Sequence, residues 1–270
     1  MAADPQKRAP DSGALFSFIA PVFIACALLS PSLSLAGQCT AEKIDAYHKV
    51  KYVHDGDTLH LVGGQKIRLI GINTPEVARD KKPAEPYADE ARDVLRKLFK
   101  TDARVGVQYG RERKDRYGRT LAHLYLADGS SVQQRLLDKG LAMAIAIPPN
   151  LHRVDCYQKS ERLARIKRRG FWRNGGPEVL DAAGLRRGDE GFTRLKGRVE
   201  KVKWSKKWIW VSFSDKVSLR ISHDDAHYFE KGLLASLAQK KVVARGWLTK
   251  RKGRWSIRVR HPVSLKVVGG

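Results

Sequence analysis

The sequence DGDTLHLVGGQKIRLIGINTPE, residues 55–76, opens with an Asp-Gly turn and continues as two apolar, β-branched runs. A Gly-Gly pair separates the runs, which is the composition of a hairpin loop between two strands. We therefore predict strands over 58–62 and 66–72, and residues 47–53 add a strand before them. Together they form a β-meander.

The residues after the meander alternate between helix and strand patterns. Residues 86–99 carry an apolar stripe at helical spacing, with a proline suited to the first turn. The remaining segments are predicted as strands at 104–109 and 120–126, an apolar stretch at 141–147, and helices at about 130–139 and 154–169. Five strands with helices between and after them predict a small Greek-key barrel of the OB type, in an α+β, mainly β class.

A second β-rich segment follows a turn-rich one. Residues 174–190 hold turn signals and little periodicity, so we predict a linker there. The following pattern predicts a short helix at about 225–238 and five strands, at 195–202, 208–213, 217–221, 241–248 and 255–259. The predicted organisation is a catalytic domain over 37–173, the linker, and a second, OB-like β-barrel domain over 191–270.

The chain of 270 residues has a formal net charge of +24, most of it near the C-terminus. Residues 191–270 hold 20 lysines and arginines against five acidic residues, a net charge of +15. Such an excess favours a polyanionic partner, nucleic acid first. The alternative is a basic surface that only keeps the protein from aggregating.

Residues 1–36 have the features of a signal peptide: two basic residues, an apolar run over 14–29 and small residues up to Ala36. We predict cleavage after Ala36 and a secreted or periplasmic protein, in preference to a membrane-anchored one. An uncleaved anchor and a lipoprotein site at Cys26 are the alternatives. After cleavage we expect a monomer without stable membrane insertion.

Cleavage would leave two of the three cysteines, Cys39 and Cys156. An even number of cysteines in an exported protein predicts a disulfide, and two free thiols are the alternative. The bond would close a long loop, for which the chain-entropy model gives about 4–5 kcal/mol of stabilisation.

Four charged residues of the first domain have the chemistry that phosphodiester cleavage needs. Asp57 and the oxygen atoms of neighbouring turns are ligands of the kind that hard divalent cations prefer. Glu76 can take a proton from an attacking water, while Arg68 and Arg119 can bind a phosphate whose oxygens gain charge. Each residue alone could be an ordinary turn, strand or loop residue, and only their combination favours a function.

The order of the motifs resembles the staphylococcal nuclease family over about residues 46–172. The motifs are Asp-Gly-Asp-Thr, Ile-Arg-Leu-Ile-Gly-Ile-Asn-Thr-Pro-Glu, Asp-Arg-Tyr-Gly-Arg, Gly-Leu-Ala, and a basic helix that ends in Gly-Phe-Trp. The resemblance implies a Ca²⁺-dependent endonuclease that cleaves both DNA and RNA and leaves 3′-phosphate ends.

The resemblance also implies a role for each matching residue. Arg68 and Arg119 would bind the scissile phosphate, and Glu76 would be the general base near the metal. The metal would be held by Asp57, Asn73 and the backbone carbonyl of Thr74. The supporting positions would be Asp55, Thr58, Asp115 and Tyr117.

The sequence departs from the family pattern at two places. Asn73 stands where the pattern has a second carboxylate, so we expect weaker Ca²⁺ binding or use of Mg²⁺ or Mn²⁺. Residues 140–147 contain none of the family's base-packing tyrosines, so stacking would be weaker or come from the second domain. The alternative function is therefore a catalytically weak nuclease-fold module that binds nucleic acid.

Five of the six tryptophans lie in residues 191–270, among lysines and arginines. Aromatic faces stack bases while cations follow the phosphates, so this composition predicts a nucleic-acid-binding module. The alternative is that tryptophans such as Trp208 and Trp210 form the barrel core. The residues predicted to bind are Trp204, Lys206, Lys207 and Trp208.

Overall fold

The computed structural model describes residues 39–79, 82–99 and 104–269, which belong to one compact unit, Ala36–Gly270. The signal peptide predicted at 1–36 lies outside the described residues. Within the described ranges, none of the helices combines the length and the apolar composition needed to cross a membrane.

The first half of the described chain forms a closed five-stranded barrel, which confirms the prediction. Its elements are β1 (Ala46–Val53), β2 (Thr58–Leu61), β3 (Lys66–Leu69), β4 (Ile72–Asn73), α1 (Ala88–Leu98), β5 (Arg104–Lys114), β6 (Thr120–Tyr125), α2 (Val132–Asp138), β7 (Met143–Ala144) and α3 (Val154–Ile166). The barrel runs in the order β1-β2-β3-β6-β5 and returns to β1. Its neighbouring strands are antiparallel, except for the parallel pair of β3 and β6.

The barrel core is built from alternate residues of the strands together with one face of α1. Each fully buried leucine in it stabilises the fold by about 2 kcal/mol. This core holds β2 and β3 in register, and the candidate site residues lie at the ends of these two strands. The core includes Leu59, Leu61, Ile67, Leu69, Ala91, Leu95, Val105, Val107, Ala122 and Leu124.

The strand predicted over 66–72 is interrupted, and the interruption positions the site. Gly71 has a φ of +81°, and a Cβ on it would lie 2.6 Å from the Tyr157 ring, so glycine is required for both reasons. The chain turns there and continues as β4, which pairs with β7 instead of extending the barrel. This turn brings the residues after β4 back over the end of β2.

The disulfide predicted between Cys39 and Cys156 is confirmed. The two Cα atoms are 5.8 Å apart and the bond spans 117 residues. Cys39 is completely buried in the barrel core, and Cys156 belongs to α3. The bond therefore fixes the segment before β1 to the last helix of the first half.

A second sheet occupies the C-terminal half. Its elements are β8 (Val179–Asp181), β9 (Gly191–Arg198), β10 (Lys201–Trp204), β11 (Trp208–Ser212), β12 (Val217–Ser222), α4 (His223–Ala226), β13 (Lys241–Arg251), β14 (Arg254–Arg258) and β15 (Leu265–Val268). It has a separate apolar core, with Leu195, Val211, Leu219, Ile221, Val242 and Ile257 among its members.

The second sheet follows the strand order of the first barrel. Its path is β10-β11-β12-β14-β13-β9, and β12 and β14 are parallel, as β3 and β6 are. Only Val199 and Glu200 separate β9 from β10, the two ends of this path. The N–H of Val199 donates to the Lys240 carbonyl, and that of Glu200 to the Ser212 carbonyl. The two ends of the path are therefore nearly consecutive in the chain, and we call this sheet with its core the second barrel.

Two details of the second half differ from the sequence prediction. The helix predicted at 225–238 is wrong: α4 ends at Ala226 and a 3₁₀ turn covers Ala235–Leu237, with Gly232 at a φ of +84° between them. Within the segment predicted as a linker, β8 pairs with β9 and so adds a strand to the second sheet. The limits of the two domains remain a prediction.

Candidate active site

Asp57 lies in the turn between β1 and β2, with 6% of its surface exposed. Its carboxylate accepts hydrogen bonds from the backbone N–H of Thr74 and the hydroxyl of Thr58, both at 3.1 Å. A Cβ on Gly56 would lie 2.7 Å from Thr74 Oγ1 and 2.9 Å from the Ala91 Cβ. The turn therefore packs tightly against the segment after β4 because residue 56 has no side chain.

Arg68, on β3, is the ion-pair partner of Asp57. Its Nη2 lies 3.0 Å from Asp57 Oδ2 and donates to Asn73 Oδ1 at 3.2 Å, while Nη1 donates to the Leu69 and Ile72 carbonyls. Four of its five N–H groups are therefore engaged within the protein. Burial raises the pKa of Asp57, and the positive charge of Arg68 opposes that rise.

Asn73 and Thr74 share a hydrogen bond at the end of β4. Asn73 Nδ2 donates to the Thr74 carbonyl at 3.1 Å, and Asn73 Oδ1 accepts from Arg68. These partners fix the orientation of the amide, because a guanidinium only donates and a carbonyl only accepts. The oxygen of Asn73 is therefore directed at Arg68, although sequence analysis expected it to bind a metal.

Arg119 precedes β6 and is held by Asp115. The Asp115 carboxylate accepts from Arg119 Nε at 2.7 Å and from the backbone N–H groups of Arg119 and Tyr117. Burial would raise the pKa of Asp115, but the hydrogen bonds from Arg119 hold it below the usual value. Arg119 Nη1 also lies 3.3 Å from Thr58 Oγ1, which places its guanidinium beside the Asp57 turn.

Glu76 lies at the surface beside these residues and is exposed. Its backbone N–H donates to Glu85 Oε2, and its carbonyl accepts from the Glu85 N–H. Partial burial and the nearby charges of Asp57 and Asp55 raise the pKa of Glu76. Sequence analysis missed Glu85, because no motif marks it and only the folded loop brings it to Glu76.

The residues around Asp57 fit a hard divalent cation with few protein ligands. Their donors are oxygens: the Asp57 carboxylate, the Thr74 carbonyl, and Asp55, whose Oδ1 accepts from the Asp57 N–H. A cation would also neutralise a carboxylate whose pKa burial has raised. Over the ranges that the structure covers, no group of three or more His, Cys, Asp or Glu side chains is arranged to hold a metal.

The structure groups Asp57, Arg68, Asn73, Thr74 and Thr58 through direct contacts, and Arg119 joins them through Thr58. Tyr117 is 69% exposed, and its ring contacts the guanidiniums of Arg116 and Arg119 from outside the group. Glu76 adjoins this group at the surface.

The predicted nucleic-acid-binding residues form a separate set on the β10–β11 hairpin. Trp204 is 49% exposed at the end of β10, and Lys206 and Lys207 are exposed in the turn. Trp208 begins β11 on the outer face, since its neighbours Ile209 and Val211 enter the core. Trp208 and Trp210 are therefore half-buried on that face instead of forming the core.

The comparisons with known proteins match the first half of the chain. A family model described as staphylococcal nuclease homologue matches residues 66–174, which include Arg68, Glu76 and Arg119. The chain is 38% identical to a thermonuclease of Staphylococcus intermedius over 126 residues, covering 46% of this chain and 74% of that protein.

Two further relatives match a similar share of the chain. A thermonuclease of Staphylococcus hyicus is 33% identical over 130 residues, covering 47% of this chain and 76% of that protein. The endonuclease YncB of Bacillus subtilis (strain 168) is 32% identical over 127 residues, covering 45% of this chain and 59% of that protein. The motif order, the closed barrel and these relatives agree, and the chain belongs to the staphylococcal nuclease family.

Proposed function

We propose that this nuclease hydrolyses phosphodiester bonds of DNA and RNA in a reaction that depends on a divalent metal, with Ca²⁺ as the first candidate. The products would end in 3′-phosphate, as the resemblance implies. The observation that carries the proposal is the buried Asp57 carboxylate, which is bonded to Thr74 and paired with Arg68 beside a second carboxylate, Glu76.

Asp57 and the Thr74 carbonyl would hold the cation, which would supply a positive charge to the phosphate and an ordered water. The Thr74 carbonyl can accept a metal in addition to its hydrogen bond from Asn73, because a carbonyl oxygen has two lone pairs. Arg68 keeps Asp57 in place and adds positive charge where the phosphate gains negative charge. Of its N–H groups, only Nε–H remains to bind a phosphate directly. Further contacts with the phosphate would require Nη1 to give up its bonds to the Leu69 and Ile72 carbonyls.

Arg119 is the better placed phosphate ligand of the two arginines. Asp115 fixes its Nε, and its Nη2 has no hydrogen-bond partner among the groups that the structure describes. An oriented guanidinium with a free donor edge loses little freedom when it binds a phosphate oxygen. Arg119 would therefore stabilise the charge that develops on the phosphate as the 5′-oxygen leaves.

Glu76 would accept the proton of the attacking water. Its raised pKa makes it a better proton acceptor than an ordinary glutamate, and the neighbouring carboxylates supply part of that rise. The hydrogen bonds between the Glu76 backbone and Glu85 hold the loop that carries it. Glu85 is thus a positioning residue for Glu76.

The alternative is a catalytically weak module that binds nucleic acid, and Asn73 is the observation that favours it. An amide supplies no negative charge to a metal, and the Asn73 oxygen already accepts a hydrogen bond from Arg68. Metal binding would then depend on Asp57 and water, as is usual for Mg²⁺. Mg²⁺ or Mn²⁺ could therefore replace Ca²⁺.

The chain from Gly37 should be incubated with linear duplex DNA, single-stranded DNA and RNA, each with Ca²⁺, Mg²⁺, Mn²⁺ or chelator. We expect metal-dependent cleavage of all three and a loss of roughly 10²–10⁴-fold in Glu76→Ala. Glu90→Ala, an exposed carboxylate on α1, is the matched control. Product ends should accept a labelled phosphate at the 5′-end only, and binding without cleavage under every metal would favour the alternative.

We also propose that the protein acts outside the cytoplasm as a monomer. The Cys39–Cys156 disulfide supports the location, since such bonds persist in oxidising compartments. N-terminal sequencing of the exported protein should begin at Gly37, after removal of the predicted signal peptide. A mature form that retains residues 1–36 would contradict the proposed processing.

A further inference from the structure

The outer face of the second barrel carries a straight row of basic and aromatic side chains. Lys203 on β10 lies opposite Trp210 on β11, Trp210 opposite Arg220 on β12, and Arg220 beside Arg258 on β14. Their sequence neighbours, such as Ile209, enter the core, so these four side chains face outward. We call Lys203, Trp210, Arg220 and Arg258 the cationic row.

The arginines of the cationic row are held in place by a tryptophan ring and a buried carboxylate. The guanidinium carbons of Arg220 and Arg258 lie 4.9 Å and 5.3 Å from the centroid of the Trp208 ring. Arg258 Nη2 also donates to the buried Asp225 carboxylate at 2.8 Å, and Arg260 contacts the same carboxylate. Stacking on an indole and pairing with a fixed carboxylate orient these groups before any ligand arrives.

Positive charge exceeds negative charge along the row: Arg258 is paired with Asp225, whereas Arg220 has no ion-pair partner among the described residues. Arg220 and Arg258 are direct neighbours on parallel strands, a placement of like charges that costs stability. Burial, followed by the charges of Arg258 and Arg251, lowers the pKa of Arg220. The buried Nε of Arg220 has no hydrogen-bond partner within the described structure. An anion bound here would relieve the repulsion between the two arginines.

The surface beside the row is polar. Ser212, Ser218, Ser256 and Thr249 lie next to one another across β11, β12, β14 and β13. Short side chains allow a polymer backbone to approach the sheet, and their hydroxyls can donate to phosphate. Two acidic side chains near this face are already paired, Asp215 with Lys201 and Asp225 with Arg258.

We propose that the cationic row is a second nucleic-acid site, which holds a single-stranded segment of the substrate. Arg220, Arg258 and Lys203 bind successive phosphates, and the half-buried ring of Trp210 between them stacks an unpaired base. Base stacking requires an unpaired base, so the site selects single strands over duplex. The proposal deepens the nuclease function, on which it rests for the identity of its polymer.

This site differs from the set that the sequence predicts. Trp208 serves as the platform beneath Arg220 and Arg258, and so is not itself free to stack a base on that side. Trp204, Lys206 and Lys207 lie at one end of the face, where they extend its basic surface. Residue spacing could not reveal Arg220 or Arg258, because only strand pairing brings them to Trp210.

The test measures binding of a fluorescent 12-nucleotide DNA, single-stranded or duplex, by anisotropy with the chain from Gly37 in chelator. Arg220→Met removes the charge but keeps an unbranched apolar side chain next to Trp208, and Lys203→Met alters an exposed residue, so neither leaves a buried charge unpaired. We expect single strands to bind at least tenfold more tightly than duplex. Arg220→Met should weaken single-strand binding by about tenfold and Lys203→Met by about threefold.

The matched control is Lys231→Met, which removes the same charge from an exposed position outside the row. Lys231→Met should change binding by less than twofold. In the row variants alone, the slope of log K against log salt concentration should become shallower by about 0.7 for each lost phosphate contact. Equal binding by wild type, Arg220→Met and Lys203→Met would overturn the proposal, as would a preference for duplex. Metal-dependent cleavage of a dinucleotide, too short to span both sites, tests the proposed nuclease function separately.

Discussion

The two barrels share a strand order but place their arginines in opposite environments. Arg68 in the first barrel has a side chain 10% exposed and is paired with Asp57, which is equally buried. Arg220 occupies the corresponding strand of the second barrel, next to the parallel partner strand, yet it faces outward beside another arginine. The same topology therefore supports a buried, charge-balanced site and an open, unbalanced one.

This difference shows how burial separates catalysis from binding. A buried arginine must be paired with a carboxylate and carbonyls, which fixes its geometry but leaves few donors for a ligand. An outward arginine keeps its charge available to a polyanion and requires no partner for folding. Under the two proposals, the first barrel would hold a reacting phosphate in one geometry, while the second would hold many positions along a strand.

Removal of the disulfide should give the largest loss of stability, and the two barrels should then unfold at different urea concentrations. Only the first barrel has the bond, and residues 191–270 contain no cysteine. The chain-entropy model gives about 5 kcal/mol for a loop of 117 residues. The variant Cys39→Ala with Cys156→Ala should lose about that much in urea unfolding, while tryptophan fluorescence of the second barrel should change at nearly the original urea concentration. A single, unshifted transition would contradict this.

The two buried aspartates provide the next comparison. Asp57→Asn leaves the buried charge of Arg68 without a counter-ion, so we expect a loss of about 3–5 kcal/mol and of nearly all cleavage. Asp225→Asn should cost only about 1–2 kcal/mol, because its partners Arg258 and Arg260 are 41% and 27% exposed and can be solvated. Urea unfolding of both variants measures the difference, and equal losses would show that exposure does not separate the pairs.

The sequence predicts the barrels better than it predicts the contacts within them. Strand and turn patterns give the five strands of each barrel, since alternation and glycine turns are local signals. The sequence does not predict the break at Gly71, because the Tyr157 ring that a side chain there would meet belongs to a distant helix. The helix predicted at 225–238 failed because Gly232 adopts a positive φ within an otherwise apolar pattern.

The candidate site shows the same limit. The motifs name Asp57, Arg68 and Arg119, yet they do not show that the donors of Arg68 are largely occupied. The direction of the Asn73 amide depends on Arg68 and Thr74 together, and Glu85 reaches Glu76 only through a loop. Contacts between segments that are distant in sequence carry no local pattern from which they could be predicted.

Arg245 offers a smaller effect that tests how the barrels depend on each other. It lies on β13 and binds both oxygens of Glu161, at 2.9 Å and 2.8 Å, while the Ala144 N–H donates to the same carboxylate. Ala144 pairs with β4, which carries Asn73, so the contact leads from the second barrel to the candidate site.

Arg245→Met should cost about 2–3 kcal/mol, because the buried Glu161 loses its closest ion-pair partner and keeps the longer contact with Arg165. Calorimetry should show the two barrels unfolding at more widely separated temperatures than in the wild type. Arg187→Met, at an exposed position, should leave the thermogram unchanged. An unchanged thermogram for Arg245→Met would show that the two barrels are stabilised independently of this contact.

The smallest effect concerns pH and the first barrel alone. His123 is buried beside the Tyr157 hydroxyl, 2.8 Å from its Nδ1, and burial with the charges of His152 and Arg153 lowers its pKa to about 3. The unfolded chain binds a proton near pH 6.5 and the folded chain does not, so stability falls as the pH decreases below 6.5.

Between pH 7 and pH 4.5 this histidine should remove about 2–3 kcal/mol from the free energy of unfolding. Urea titrations at both pH values should show the loss in the wild type and in His54→Gln, which alters an exposed histidine. In His123→Asn the loss over the same interval should be smaller by that amount, whatever the stability at pH 7. An equal loss in His123→Asn would assign the pH dependence to other groups.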